Sequence, residues 1–166
     1  MLLTVLNFTV ERLQWKLNSE ATMQPDSFED LLAWQKAKVL CVSVYKAFES
    51  SSDFGLKDEI QRAALSLMNN ISEGFERKTP KEFVAFLYIA KGACGELRSM
   101  LLLSKELHKL PLHTITMMNK LAEEISKLIT GLILSLQHPN AVLAEVKSLK
   151  WEVESLKIKV HTGDWV

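Results

Sequence analysis

Apolar residues recur every three or four positions in four separate segments of this chain. This spacing places the apolar side chains of each segment on one face of an α-helix. The four sets, in chain order, are Trp34, Ala37, Cys41, Val44 and Phe48; Ile60, Ala63 or Ala64, Leu67 and Ile71; Phe83, Leu87, Ala90, Cys94, Leu97 and Leu101; and Met118, Leu121, Ile125, Leu128 and Leu132. Amphipathic helices of this kind bury their stripes against one another, so the sequence predicts an all-α, antiparallel up-down four-helix bundle over residues 26–137.

Capping residues and helix breakers indicate where these helices begin and end. Asp26 and Ser27 are typical N-terminal caps, and Ser50–Asp53 reads as a loop. Pro111 separates the third helix from the fourth, because proline interrupts a helix. The expected helices run from the Ser27 cap to about Glu49, from Leu56 or Lys57 to near Gly74 or a few residues later, from Pro80 to about His108, and from about Thr114 to Leu136.

Both ends of the chain extend beyond the predicted bundle. Residues 1–25 form an N-terminal extension whose apolar residues fit a helix by spacing and a strand by alternation. Residues 138–166 contain an amphipathic C-terminal helix, either a short coiled-coil seam or an extra helix packed on the bundle, and a tail. The chain lacks a cationic signal-peptide leader, and no apolar run approaches the ~18 residues of a membrane span. We therefore expect a cytoplasmic protein with no membrane partner.

The segment between the second and third helices carries strong capping signals. Gly74 is suited to end or bend the second helix, because glycine adopts positive φ without steric cost. The hydroxyl of Thr79 is predicted to accept from the N–H of Glu82, while the Glu82 carboxylate reaches back to the N–H of Thr79. Pro80 then occupies the first helical position, where no N–H is needed.

The same segment contains a small cluster of cations. Arg77, Lys78 and Lys81 fall within five residues of one another and close to Phe75. Two interpretations fit this pattern, a solvated turn between two helices and a small basic contact site. The whole chain has 20 basic and 20 acidic residues, so it has no overall positive field to attract nucleic acid.

No catalytic or metal-binding pattern occurs in the sequence, so we expect a protein that is not an enzyme and that holds no cofactor or metal. Cys41 and Cys94 are expected to be buried, reduced thiols. Glu73 and Glu96 lie near apolar faces, where we expect them to be partly buried and to bond Asn70, Arg62, Arg98 or backbone groups. The four histidines lack the paired spacing of a zinc helix: His108, His113, His138 and His161.

Three further residues of the predicted helices call for a packing explanation. Gly92 and Gly95 lie inside the third helix, where each costs roughly 1 kcal/mol relative to alanine. Close approach of another helix backbone is the usual compensation, and a notch for a ligand is the alternative. Asn70, beside Ile71, is predicted to be a buried hydrogen-bonding residue that fixes the register of the second helix.

Several motifs together resemble one known family. They are Phe28-Glu-Asp-Leu31 with Trp34-Gln-Lys-Ala37; Gly55-Leu56 with Gln61-Arg-Ala-Ala64; Asn70-Ile-Ser-Glu-Gly-Phe75 with Arg77; Glu82-Phe83; Phe86-Leu-Tyr-Ile-Ala90; and Gly92 with Glu96-Leu97. The pattern is similar to that of the four-helix bundle proteins encoded by intervening sequences in bacterial 23S ribosomal RNA genes. This resemblance covers about residues 28–136 and implies an up-down bundle that assembles into a ring-like homopentamer. Accessory variability proteins of diversity-generating retroelements are similar, and they associate with nucleic acid and a reverse transcriptase.

Departures from that family pattern bear on function. Glu76 stands where the family commonly has Gly, Lys91 where it has Arg, and Ala93 where it has Ser. Glu76 weakens the local positive field, and lysine lacks the bidentate phosphate geometry of arginine.

Two functional hypotheses remain. In the first, the protein is a non-catalytic oligomeric scaffold that binds itself or other proteins. In the second, it is an RNA- or DNA-associated accessory factor that uses Arg77, Lys78, Lys81 and Lys91. Eight residues are predicted to form a structural motif: Asn70, Ile71, Glu73, Gly74, Phe75, Thr79, Gly92 and Glu96.

Overall fold

Four α-helices account for most of residues 25–138, which are the part of the chain that the computed structural model describes. A 3-10 helix at Phe28–Asp30 precedes α1 (Leu32–Ala47), α2 (Phe54–Phe75), α3 (Pro80–Glu106) and α4 (Leu112–Gln137). These residues contain no strand, so the predicted all-α class is confirmed for them. The predicted N-terminal extension and C-terminal amphipathic helix lie outside the described residues.

The four helices pack around one apolar core. α1 contacts α2 and α4, and α3 contacts the same two helices, whereas α1 and α3 do not pair. α1 and α3 therefore lie on opposite sides of the core. Two ion pairs tie α4 to its neighbours: Lys36 with Glu124 at 2.9 Å and Arg98 with Glu123 at 2.8 Å.

The buried faces of α1, α2 and α3 follow the predicted periodicity. Leu67 and Leu97, for example, are completely buried. On α4, Met118 and Ile125 are buried as predicted. Elsewhere on this helix the buried residues are shifted by one position from the predicted stripe, because Ala122 and Ile129 are fully buried while Leu121 and Leu128 are half-buried. Two adjacent apolar stripes make a wide arc on α4, and spacing alone does not fix which stripe lies at the centre of that arc.

The observed helix ends differ from the predicted ones where local hydrogen bonds compete with the helix. Leu31 is extended (φ −71°, ψ 115°), so α1 begins only at Leu32, after the short 3-10 turn, and not directly after the predicted Ser27 cap. α2 begins at Phe54, because the carboxylate of Asp53 accepts from the N–H of Leu56 at 3.2 Å and caps the helix. α3 ends at Glu106 because His108 adopts a left-handed backbone conformation (φ 50°).

Asp53 also links two loops of the fold. Its carboxylate lies 3.0 Å from the ammonium of Lys109, which belongs to the α3–α4 loop. The hydrogen bond from Lys109, followed by that from the N–H of Leu56, lowers the pKa of Asp53. The sequence reading placed Asp53 in a loop and missed both its cap and its ion pair.

Gly74 is required for close helix contact rather than for a turn. It is buried inside α2, and the residue at the C-terminal cap, Glu76, has ordinary negative φ. A Cβ atom placed on Gly74 would lie 2.6 Å from Cβ of Phe86 and 2.8 Å from Cδ2 of Phe83. The prediction that Gly74 stops the helix through positive φ is therefore wrong, since the glycine lets α3 approach α2 instead.

We expect Gly74→Ala to lower the free energy of unfolding by about 1–3 kcal/mol, because the new methyl group overpacks the α2–α3 contact. Gly131→Ala is the matched control, since Gly131 also lies inside a helix but has nothing within 4 Å of an added Cβ. That control should leave stability unchanged or raise it by up to ~1 kcal/mol. Chemical denaturation of both variants checks the prediction, and equal midpoints would contradict it.

Candidate interaction surfaces

The joint between α2 and α3, residues 73–82, is fixed by a side-chain cap. The hydroxyl of Thr79 accepts from the N–H of Glu82 at 3.2 Å, and Pro80 follows at the first helical position. This part of the prediction is confirmed. The Glu82 carboxylate bonds differently from the prediction, because it accepts from the Thr79 hydroxyl at 2.7 Å. A threonine hydroxyl both donates and accepts, so it satisfies the helix N–H and the carboxylate together.

Arg77 connects the end of α2 to the start of α3. Its guanidinium lies 4.6 Å from the centroid of the Phe86 ring and forms an ion pair with Glu73. Below it, the Phe75 and Phe83 rings meet edge to face with centroids 6.0 Å apart. Arg77 therefore has a structural role at the joint, and its charge is already partly compensated.

The joint brings together only part of the predicted basic set. Lys78 and Lys81 are exposed there. Lys91 lies about three turns further along α3 and donates to the Thr130 hydroxyl at 2.9 Å. Within the joint, the three cations are matched by three carboxylates, which belong to Glu73, Glu76 and Glu82. The local field is therefore close to neutral.

The next residues of the predicted motif lie on α2 and α3, and their hydrogen bonds and burial are as follows. Asn70 donates to the carbonyl oxygen of Ser66 at 2.7 Å and to its hydroxyl at 3.1 Å, so it bonds within its own helix. Ile71 is completely buried. Glu73 and Glu96 are exposed, and the expectation that they are partly buried is wrong. Each is adjacent in sequence to a buried residue, but one step along a helix turns the side chain by about 100° away from the core.

Thr79→Ala should lower the free energy of unfolding by about 1 kcal/mol, because the first turn of α3 loses a partner for one N–H. Thr79→Ser is the control and should retain most of the stability, since serine also caps. Thermal unfolding monitored by circular dichroism measures both variants. An unchanged midpoint for the alanine variant would show that the hydroxyl contributes nothing at this position.

The outward face of α3 is unusually poor in charge. Between residues 85 and 103 the exposed positions are Ala85, Tyr88, Ile89, Gly92, Gly95, Glu96, Ser99, Leu102 and Leu103, which we call the α3 face. Only Glu96 among them is an acidic or basic residue, and it forms no ion pair within residues 25–138. An added Cβ at Gly92 or Gly95 would meet nothing within 4 Å. The expected tight packing of these glycines against a neighbouring helix is therefore wrong within residues 25–138.

A second outward surface lies on α1. Its exposed residues from 38 to 46 are Lys38, Val39, Val42, Tyr45 and Lys46, which we call the α1 face. Val39 is 58% exposed and Val42 46% exposed. Lys38 lies 5.3 Å from the centroid of the Trp34 ring. Neither lysine forms an ion pair in the described part of the chain.

The described residues offer little for chemistry. Cys41 and Cys94 are buried free thiols, as predicted, and burial raises the pKa of both. The Cys94 thiol donates to the carbonyl oxygen of Ala122 at 3.2 Å. Within residues 25–138, no cluster of three or more His, Cys, Asp or Glu side chains could hold a metal. None of the helices described is long and apolar enough to cross a membrane.

The described residues form helices that pack around one core, and α1 and α3 expose apolar residues on their outer sides. The protein therefore belongs to the all-helical class. The model of the 23S rRNA-intervening sequence protein family matches residues 29–131, and the chain belongs to this family. The resemblance to this family inferred from the sequence motifs is thereby confirmed, while the similarity to the accessory variability proteins of diversity-generating retroelements stays a prediction. No curated protein matches the sequence significantly.

The fold is also similar to that of a solved structure. It is the crystal structure of a protein of unknown function from the S23 ribosomal protein family of Bacteroides thetaiotaomicron VPI-5482. The match has 23% sequence identity and a TM-score of 0.59, and it covers 61% of this chain and 98% of that chain. At this level of identity the likeness concerns the fold alone.

Proposed function

We propose that this protein is a non-catalytic scaffold that assembles with copies of itself through the α1 face and the α3 face. The observation that carries the proposal is the pair of apolar surfaces on opposite sides of the core. Val39, Val42, Tyr88 and Ile89 are each 46–58% exposed. Such surfaces, when contiguous, are typical of protein–protein contact sites.

Magnitudes favour a closed assembly over a single contact. Completing the burial of a half-exposed large apolar side chain contributes roughly 1 kcal/mol. The two faces together supply about 6–7 kcal/mol, because they expose seven such side chains: Val39, Val42, Tyr45, Tyr88, Ile89, Leu102 and Leu103. Association itself costs at least about 4 kcal/mol in lost translational and rotational freedom. One contact is thus only marginally favourable. A ring in which every copy uses both faces gains an extra contact on closure, with no further loss of translational freedom.

The proposal includes an antiparallel up-down arrangement of the helices and a homopentameric ring. Support for the arrangement comes from side-chain partners on neighbouring helices. Lys91 on α3 bonds Thr130 on α4, whereas Arg98, further along α3, bonds Glu123, which lies earlier on α4. Membership of the intervening-sequence family supports the ring, because that resemblance implies a pentamer.

Association with RNA or DNA, including a role beside a reverse transcriptase, stays a prediction. Arg77 is engaged by Glu73 and Phe86, and Lys91 is remote from the joint. These contacts leave Lys78 and Lys81 as the free cations of the joint. For this reason we rank the scaffold above the nucleic-acid factor.

Light scattering at micromolar concentration tests the scaffold. We expect the wild-type chain to have five times the chain mass of 18.8 kDa. Val42→Glu should reduce the mass, because it places a charge in the apolar α1 face, while Lys120→Glu on the exposed side of α4 should not. A monomeric wild type would contradict the proposal.

The nucleic-acid prediction has its own measurement. If Lys78 and Lys81 contact phosphates of single-stranded RNA, affinity should fall steeply with salt. Replacing both lysines by alanine should then flatten the dependence of log affinity on log salt by about 1–2 units. Lys120→Ala is the control and should keep the wild-type slope. Absence of binding at low salt, or an unchanged slope in the double variant, would count against this site.

A further inference from the structure

We draw no further inference here: the strongest candidate, the group of exposed apolar side chains at the end of the bundle where the Asp53–Lys109 ion pair joins the α1–α2 loop to the α3–α4 loop (Phe54, Leu107 and Leu112), carries none, because nothing in the described part of the chain shows what covers it.

Discussion

The contact between Gly74 and the two phenylalanines of α3 is the constraint on which the rest of the fold depends. It brings the end of α2 against the start of α3 at a distance that no side chain at this position would allow. Phe83 and Phe86 can reach the glycine only if α3 starts where it does, and the Thr79 cap fixes that start. Arg77 then covers the Phe86 ring from outside. The joint between α2 and α3 therefore holds the two helices together, and its positive and negative charges largely balance.

Once α3 is held in this way, its flanks and its outer face have different roles. Lys91 and Arg98 lie on the flank and bond Thr130 and Glu123 of α4. The charges of this part of α3 are therefore used in holding neighbouring helices. The outward positions retain Glu96 alone, and a solvated helix face normally carries many more charges. The low number of charged residues on the α3 face has no explanation within the described part of the chain, and the proposed contact with another copy would account for it.

The sequence predicted what depends on short-range physics. Periodicity identified the buried faces of α1, α2 and α3, because burial of a residue such as Leu67 follows from its neighbours at three and four positions. The Thr79 cap was also predictable, since donor and acceptor are three residues apart. Contacts between residues far apart in sequence could not be predicted, as the ion pair of Asp53 with Lys109 illustrates. On α4 the spacing was only partly right, because two adjacent apolar stripes compete for the core and, of the predicted stripe, Met118 and Ile125 are the buried residues.

The helix-interior glycines show most clearly why the candidate surfaces on α1 and α3 could not be predicted from the sequence alone. Gly74 and Gly92 both lie within helices, and a helix-interior glycine costs roughly 1 kcal/mol wherever it occurs. The reason for the first lies in Phe83 and Phe86 of the same chain, whereas nothing within 4 Å accounts for the second. The motif around Gly74, which identifies the family, is therefore explained by folding. Function is to be sought where folding leaves the residue types unexplained, and in the described chain those positions are the α3 face and the α1 face opposite it.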